Sequence, residues 1–339
     1  MGNLSRAALL TGQRSLARSG VMERRWAMHV LWTLSLGIAV GFPAGGVRAG
    51  TILHTNTDAQ HQALAAGYSS AALVNYQKGG SIHTCSGTLV DARWMLTAAH
   101  CGDGATNMYA RIGGQYYTAQ QIRLHDDWDG DPTSGTDVAL VQLSTGVTSA
   151  TPAALYTGSS ELNQTGTFVG YGTSGTGLTG AVLPPGTLRA VQNVIDSVGL
   201  TVSNPGAGTV LADYSTQLLF SDFDSGSVAD NVLDYHFSFL SMSSTSSSTP
   251  LGYEGMIASG DSGGGMFLEV GGESFLAGVH SFIFAVDGAA DSTYSDTFAA
   301  VRVSSHASWI QSVIPEPSTG ALLALGLTGL GARRRHRLG

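Results

Sequence analysis

The fold and function of this chain depend on the stretch Ser259-Gly260-Asp261-Ser262-Gly263-Gly264-Gly265. It places a serine between glycines and leads into the apolar run Met266-Phe267-Leu268. A serine hydroxyl is a weak nucleophile, and it needs to be presented without crowding beside backbone N–H groups that receive an oxyanion. Glycine allows the positive φ values that such a turn requires. The stretch fits a nucleophilic serine, although a glycine-rich hairpin with an incidental serine remains open.

Two upstream segments narrow this interpretation. His100 follows the run Trp94-Met95-Leu96-Thr97-Ala98-Ala99, and Asp137 precedes the strand-like run Val138–Leu143. The stretch also fits the Gly-x-Ser-x-Gly nucleophile elbow of α/β-hydrolases, but in that elbow the serine comes first, the histidine last, and a helix follows the serine. Here the order is histidine, aspartate, serine, and the glycines after Ser262 disfavour a helix. The order of the three residues therefore argues against the elbow.

Three segments resemble the signature segments of the trypsin/chymotrypsin-like serine peptidases, in the order of that family. They are Thr97-Ala98-Ala99-His100-Cys101, Asp137-Val138-Ala139-Leu140 and Gly260-Asp261-Ser262-Gly263-Gly264. The resemblance covers roughly residues 70–314. It implies an all-β fold of two six-stranded antiparallel β-barrels with a short C-terminal helix. The catalytic residues of that fold meet in the cleft between the barrels.

The resemblance also implies a role for each matching residue. The catalytic triad is His100, Asp137 and Ser262, and the oxyanion hole is formed by the N–H groups of Gly260 and Ser262. The expected substrate-binding residues are Met256, Ser281, Phe282 and Ile283. Met256 stands where tryptic members carry an aspartate, and Ile283 stands where a glycine usually keeps the pocket open. We therefore expect an endopeptidase that prefers small or apolar side chains to arginine or lysine. This chemistry requires no cofactor and no metal.

Composition supports the same fold class and defines the expected domain boundaries. Only 12% of the 339 residues are charged and 46 are glycine, as in proteins of short strands and many turns. The net charge of −8 argues against nucleic acid as a partner. The expected boundaries are 50–314 for the peptidase domain, about 71–157 and 166–303 for its two barrels, and about 304–314 for the helix. Short apolar runs at 72–76, 86–90 and 94–97 indicate strands of the first barrel. The Gly/Ser/Thr-rich stretches 173–187, 199–209 and 241–250 are expected to be surface insertions.

Residues 1–49 have the pattern of an extension followed by a secretory signal peptide. Met22–Trp26 is basic, Val30–Val40 is apolar, and Val47-Arg48-Ala49 offers small residues to a signal peptidase. We expect cleavage before Gly50, and translation starting at Met22.

The C-terminal residues 315–339 resemble a PEP-CTERM sorting signal. Pro315-Glu316-Pro317 is followed by the uncharged run Ala321–Leu330 and by the basic cluster Arg333–Arg337. The run is shorter than the roughly 20 residues that span a bilayer, and a plain weak anchor is the alternative. The resemblance implies export in a Gram-negative bacterium to the envelope, cell surface or medium. It also implies recognition by an exosortase, removal of the tail and transient membrane association.

Other polar features leave alternatives open. Cys85 and Cys101 are expected to form a disulfide, because the chain is predicted to be exported. In the resembling family the corresponding pair lies beside the catalytic histidine. The acidic stretch 126–132 is interpreted as a solvated loop, with a cation site as the alternative. The acidic stretch 221–226 is interpreted as a plain turn, with a cation site or a role at the rim of the cleft as the alternative.

One departure from the family affects activation. Its members expose an Ile-Val-Gly-Gly-like N-terminus whose ammonium pairs with the aspartate before the serine, here Asp261. Nothing upstream of Cys85 matches this motif, and Leu64–Ala71 is the nearest region. We expect that no propeptide cleavage is needed and that Asp261 has another partner. The alternative function is a non-catalytic or latent binding module of the cell envelope on a peptidase scaffold.

Overall fold

The computed structural model describes residues 50–234, 241–244, 246–285 and 288–314. The predicted signal peptide (1–49) and sorting tail (315–339) lie outside the described residues. Strands β1 to β7 are Gly50–Ile52, Ala71–Lys78, Ser81–Asp91, Trp94–Thr97, Thr106–Ile112, Gln115–Leu124 and Ala139–Leu143. Strands β8 to β13 are Ala154–Leu155, Thr165–Gly170, Ser174–Thr176, Gly180–Leu183, Arg189–Val194 and Ser197–Asn204. Strands β14 to β19 are Thr209–Asp222, Ser241–Met242, Gly255–Met256, Gly265–Val270, Glu273–Ala285 and Asp296–Arg302.

Helices are few and short. The α-helices are α1 (Asp58–Ala65), α2 (Ala99–Gly102) and α3 (Val303–Val313), and single 3₁₀ turns cover Pro132–Ser134 and Val228–Asp230. None of the helices in the described ranges has the length and apolarity of a membrane span.

The first half of the chain forms a closed barrel of six strands in the order β2-β3-β4-β7-β6-β5. All its pairings are antiparallel, and β5 closes the barrel by pairing with β2. Along β2 and β5, inward-facing apolar residues alternate with more exposed ones, as expected for strands with one buried face. The barrel interior is filled by buried apolar side chains that include Val74, Leu89, Met95, Ile112, Val141 and Leu143.

The second half forms one nine-stranded sheet. Its strands follow the order β12-β9-β17-β18-β19-β14-β13-β15, and β8 pairs with β18 in parallel. The predicted all-β class is confirmed, but the sheet of this half has nine strands where six were expected. The extra length lies mainly in the β13–β14 hairpin, which occupies part of the region predicted to be a surface insertion.

A shared apolar cluster holds the two halves together. Leu96 and Leu140 of the barrel pack in the same cluster as Val169, Phe267 and Val279 of the second sheet. The C-terminal helix α3 contributes Val303 and Ile310 to this cluster, which confirms the predicted terminal helix. Side chains from both halves therefore pack together along their shared boundary.

The N-terminal segment belongs to the folded body. Strand β1 pairs in parallel with β10 and antiparallel with β16, in a four-stranded sheet that also contains β11. Helix α1 packs on β12, where buried Arg189 donates hydrogen bonds to Asp58. His61 lies against the carbonyl oxygen of Ala190 at 2.8 Å. These contacts fix residues 50–65 to the second half.

Candidate active site

His100 and Asp137 meet at the boundary between the two halves. His100 lies in α2, directly after β4, and Asp137 lies just before β7, the strand that pairs with β4. The Nδ1 atom of His100 is 2.7 Å from Oδ2 of Asp137, and the His100 main-chain N–H donates to Oδ1 at 2.8 Å. The hydroxyl of Ser281 donates to Oδ2 at 2.6 Å. This fully buried carboxylate therefore fixes the imidazole ring, with a proton on Nδ1 and Nε2 free to accept one.

The turn carrying Ser262 is attached to the barrel through Ser86. The Ser86 main-chain N–H donates to the carbonyl of Ser262 at 2.8 Å, and its hydroxyl donates to the carbonyl of Gly260 at 2.9 Å. Gly263 follows with a φ of +81°, and a Cβ there would lie 2.1 Å from Oγ1 of Thr97. Only glycine allows this approach. The turn therefore lies directly against the strand end that leads to His100.

Some amide N–H groups of this turn are bonded within the fold and two are not. Asp261 donates its N–H to the carbonyl of Ala258 at 2.9 Å, Gly263 to that of His280 at 2.7 Å, and Gly264 to that of Asp261 at 2.8 Å. Within the described residues, the N–H groups of Gly260 and Ser262 have no acceptor in the folded chain. They are available for a ligand oxygen.

The predicted disulfide between Cys85 and Cys101 is present. It joins β3 to α2 one residue after His100. The two sulfurs lie near the His100 ring. Because they are bonded to each other, they are not thiolate ligands for a metal.

His100 and Ser262 both line a cavity of about 790 Å³. Its apolar lining includes Ile257, Tyr214, Phe282, Ile283 and Phe284. The ring of Tyr214 stacks on that of Phe284 with centroids 6.1 Å apart. An apolar cavity that also contains a serine and a carboxylate-bound histidine is suited to a ligand with an apolar side chain and a reactive carbonyl.

Comparisons with known proteins agree with this geometry. The family model described as Trypsin matches residues 61–227. Chymotrypsin-like elastase family member 1 of Felis catus is 30% identical over 258 residues, which cover 71% of this chain and 83% of that protein. The chain belongs to the trypsin family.

Other relatives are similar over shorter stretches. Chymotrypsin-like elastase family member 1 of Homo sapiens is 39% identical over 87 residues, which cover 22% of this trypsin-family chain and 34% of the human protein. The first relatives matched are thus covered over about a third of their length. A solved structure of HL collagenase, 21% identical, covers 80% of this chain and all of its own chain with a TM-score of 0.51. That similarity shows the chymotrypsin-like fold. A second family model, the PEP-CTERM protein-sorting motif, matches residues 313–335, as the sequence predicted.

Three of the four predicted substrate-binding residues of the trypsin-family chain line the cavity, and the fourth, Met256, does not. Ser281, Phe282 and Ile283 line the cavity beside Ser262. Met256 is fully buried in β16, where it pairs with Thr51 of β1 and packs in the core of the second half. The cavity lining includes Ile257, its neighbour, and not Met256. Counting back along the sequence from Ser262 therefore located the correct segment, but the residue of that segment that lines the cavity is Ile257 and not Met256.

Sequence reasoning missed two supports of the site. Ser86 precedes a glycine in an ordinary strand, and no local pattern connects it with Ser262. Tyr214 lies on β14 in a polar region, where a single aromatic residue carries no periodic signal. Both positions depend on contacts far apart in the sequence.

Asp261 is the buried acid beside the nucleophile turn. Its carboxylate accepts hydrogen bonds from the main-chain N–H groups of Gly172 at 2.7 Å and Ala258 at 2.9 Å. Burial raises the pKa of Asp261 to about 7, and these amides together with the main chain of Gly50 oppose that rise. Gly50 therefore lies next to Asp261, for which the sequence predicted a partner other than an Ile-Val-Gly-Gly-like N-terminus.

Proposed function

We propose that this trypsin-family chain is an exported serine endopeptidase. The observation that carries the proposal is the convergence of three groups at one cavity. They are the carboxylate-bound imidazole of His100, the Ser262 hydroxyl on its glycine turn, and the free N–H groups of Gly260 and Ser262. Each group matches a step of acyl transfer.

In the proposed mechanism, Oγ of Ser262 attacks the carbonyl carbon of the scissile peptide bond. Nε2 of His100 takes the hydroxyl proton and then gives it to the leaving amine, so the C–N bond breaks and an acyl-enzyme forms. Water, deprotonated by the same nitrogen, hydrolyses the ester and restores Ser262. Asp137 holds the ring and stabilises its cation. The N–H groups of Gly260 and Ser262 receive the oxyanion, each donor typically contributing about 3–4 kcal/mol.

We expect cleavage after small or apolar side chains. Ile257, Phe282 and Ile283 contribute apolar surface to the cavity. Asp291 also lines it, but this residue is exposed and accepts a hydrogen bond from Thr293 at 2.8 Å. An exposed carboxylate attracts a substrate cation less strongly than a desolvated one does.

The proposed location follows from the sorting motif. A PEP-CTERM motif at 313–335 directs export and implies processing by an exosortase. Peptides or proteins in the envelope or outside the cell are then the substrates. Signal peptidase would process the N-terminal end.

A fluorophosphonate probe tests the mechanism on the purified exported protein. We expect labelling at Ser262, and none in Ser262→Ala, because the probe reacts only with an activated serine. Ser259→Ala is the matched control, since Ser259 lines the same cavity and should not affect labelling. A folded wild-type protein that remains unlabelled would favour the binding-module alternative.

Peptide substrates that differ only at the residue before the cut test the specificity. Alanine, valine and leucine substrates should have higher kcat/KM values than arginine and lysine substrates. A preference for arginine or lysine would contradict the proposal. If Asp291→Asn abolished that preference, the carboxylate at the cavity rim would be its source.

A further inference from the structure

The two N–H groups that would receive the oxyanion belong to two peptide units of the turn that carries Ser262. The N–H of Gly260 shares its peptide unit with the carbonyl group of Ser259. The N–H of Ser262 shares its peptide unit with the carbonyl group of Asp261. Because a peptide unit is planar and trans, its C=O and N–H bonds point in opposite directions. A donor that fixes the carbonyl oxygen therefore also fixes the direction of the N–H.

The carbonyl oxygen of Ser259 accepts two hydrogen bonds, and both come from Thr173. The main-chain N–H of Thr173 donates to this oxygen at 2.6 Å, and the Oγ1 hydroxyl donates to it at 3.0 Å. Thr173 is half-buried, lies directly before β10 and lines the cavity beside Ser262. Two donors of one residue therefore hold the peptide unit that carries the Gly260 N–H.

The carbonyl oxygen of Asp261 is held in the same way. It accepts from the main-chain N–H of Gly264 at 2.8 Å, and Nδ1 of His280 lies 3.2 Å from it. His280 is a residue of β18, and its side chain is only 1% exposed. Its ring packs on that of Phe168 with centroids 5.6 Å apart. Each of the two carbonyl oxygens is thus bonded to one main-chain group and one side chain.

The proton of the His280 ring lies on the nitrogen that faces this carbonyl oxygen. Burial lowers the pKa of His280 to about 4, and the main-chain groups of Asp261 and Gly265 oppose that change. The ring is therefore neutral at pH 7, with one N–H donor. Since a carbonyl oxygen can only accept, the donor is Nδ1. Nε2 is completely enclosed and has no hydrogen-bond partner in the described part of the chain.

We propose that Thr173 and His280 are positioning residues of the oxyanion hole, an inference that rests on the proposed peptidase function. Each side chain donates to the carbonyl end of a peptide unit whose N–H end receives the oxyanion. A hydrogen bond to the carbonyl oxygen also polarises the peptide unit, which strengthens its N–H as a donor. Neither side chain needs to contact the reacting atoms, because each acts through the peptide unit.

Variants of Thr173 test the first half of this proposal in the purified exported protein. Thr173→Val removes the hydroxyl and preserves side-chain volume. For a peptide anilide with alanine before the cut, kcat should fall about tenfold and KM should change less than about twofold, because the lost hydrogen bond acts in the transition state. Thr173→Ser keeps the hydroxyl and should recover most of the loss. Thr176→Val is the matched control, since the Thr176 hydroxyl bonds to Thr179 and not to the turn.

Variants of His280 separate positioning from packing. His280→Leu fills the buried space without a donor, whereas His280→Asn is smaller and keeps an amide N–H near the position of Nδ1. Packing alone predicts that His280→Leu is the more active variant, because an apolar side chain suits a buried site. The proposal predicts the reverse order, with kcat about tenfold below wild type in His280→Leu and closer to wild type in His280→Asn. The Tm of each variant shows whether it is folded, and the Thr173 variants remain decisive if neither folds.

A peptide aldehyde inhibitor measures the oxyanion hole directly. Oγ of Ser262 bonds to the aldehyde carbon, the hydroxyl proton passes to Nε2 of His100, and the aldehyde oxygen becomes an anion. The inhibition constant should rise about tenfold in Thr173→Val and in His280→Leu, in parallel with the fall in kcat/KM.

The outcomes distinguish this inference from the proposed function. Unchanged kcat and inhibition constants in Thr173→Val and His280→Leu, or a change confined to KM, would overturn the inference and leave the peptidase function standing. A folded wild-type protein that neither cleaves the peptide nor reacts with fluorophosphonate would overturn the proposed function, and this inference with it.

Discussion

Two buried aspartates of this chain have opposite surroundings. Asp137 receives hydrogen bonds from the ring and main chain of His100 and from the hydroxyl of Ser281. Oδ1 of Asp224 receives none. Donors stabilise the ionised form of a buried carboxylate, whereas neighbouring acids destabilise it. The hydrogen bonds of Asp137 therefore orient His100, whereas the surroundings of Asp224 raise the pKa of its carboxyl group and favour the protonated form.

Four buried acids predict how stability depends on pH: Asp196, Asp222, Asp224 and Glu254. Burial raises the pKa of Glu254 to about 8, and burial followed by the charge of Asp222 raises that of Asp224. Unfolded carboxyl groups titrate near pH 4. Between these values the folded state binds more protons than the unfolded state, so the free energy of unfolding decreases as pH rises. Tm, measured by scanning calorimetry at each pH, should therefore fall from about pH 5 to about pH 8 and level off above that pH. A Tm that stays constant over this range would contradict the prediction.

At the scale of single residues, the sequence identifies the catalytic side chains more reliably than it identifies the residues that surround them. His100, Asp137 and Ser262 are predictable because each lies in a short motif whose neighbours are also constrained. The position of Met256 follows from counting back from Ser262, and a count cannot say which of two adjacent side chains turns into the cavity. The four buried acids are harder still to predict, because only 221–226 is acidic as a local stretch. Asp196 and Glu254 join it only through the fold.

At the scale of elements, helix α1 depends on one buried ion pair. Arg189, only 2% exposed, donates to both carboxylate oxygens of Asp58 at the first turn of α1. Removing one partner of a buried pair leaves the other charge uncompensated and costs about 3–5 kcal/mol. Because Asp58 is partly exposed, we expect the lower end of this range.

Asp58→Ala tests this attachment. The variant should lose about 3 kcal/mol in its free energy of unfolding, measured by urea denaturation. The matched control is Ala59→Gln, at the exposed neighbouring position, which should change stability by less than about 0.5 kcal/mol because glutamine is also a good helix former. Equal stability of the two variants would show that α1 does not depend on the ion pair.

Elements with regular alternation were predictable, and elements formed by tertiary pairing were not. The apolar runs at 72–76, 86–90 and 94–97 lie in β2, β3 and β4, because one barrel face is buried along each. Strand β1 has only three residues, and no periodicity can be detected over that length. The β13–β14 hairpin is rich in small polar residues, so composition alone suggested an insertion without regular structure.

At the scale of the whole molecule, the N-terminal strand β1 begins beside the turn that carries Ser262. The main-chain N–H of Gly50 donates to the carbonyl of Thr173 at 2.8 Å. Gly50 has a φ of +68°, and a Cβ there would lie 3.8 Å from Oδ2 of Asp261. The sequence predicts signal peptide cleavage before this residue. A new α-ammonium at Gly50 would then lie next to a buried carboxylate whose near neighbours are main-chain amides.

From this arrangement we infer how the chain could do without an Ile-Val-Gly-Gly-like activation sequence. Cleavage during export would itself supply the cation. An ammonium beside Asp261 lowers the pKa of that acid and holds the turn that carries Ser262. Contacts of β1 and α1 with the second half keep residues 50–65 in the mature protein, so we expect Gly50 as its first residue.

A single-residue extension tests this coupling. We compare protein that starts at Gly50 with protein that keeps Ala49, each released from a fusion partner without other additions. The extension moves the charge away from Asp261, so the rate of fluorophosphonate labelling should fall by about 100-fold, as for the loss of a buried ion pair. Asp261→Asn should cause a similar loss, and the extension should add little to it, since both changes remove one interaction. Equal labelling of the two wild-type forms, or an active protein whose mass shows a start well beyond Gly50, would contradict activation by signal peptide cleavage.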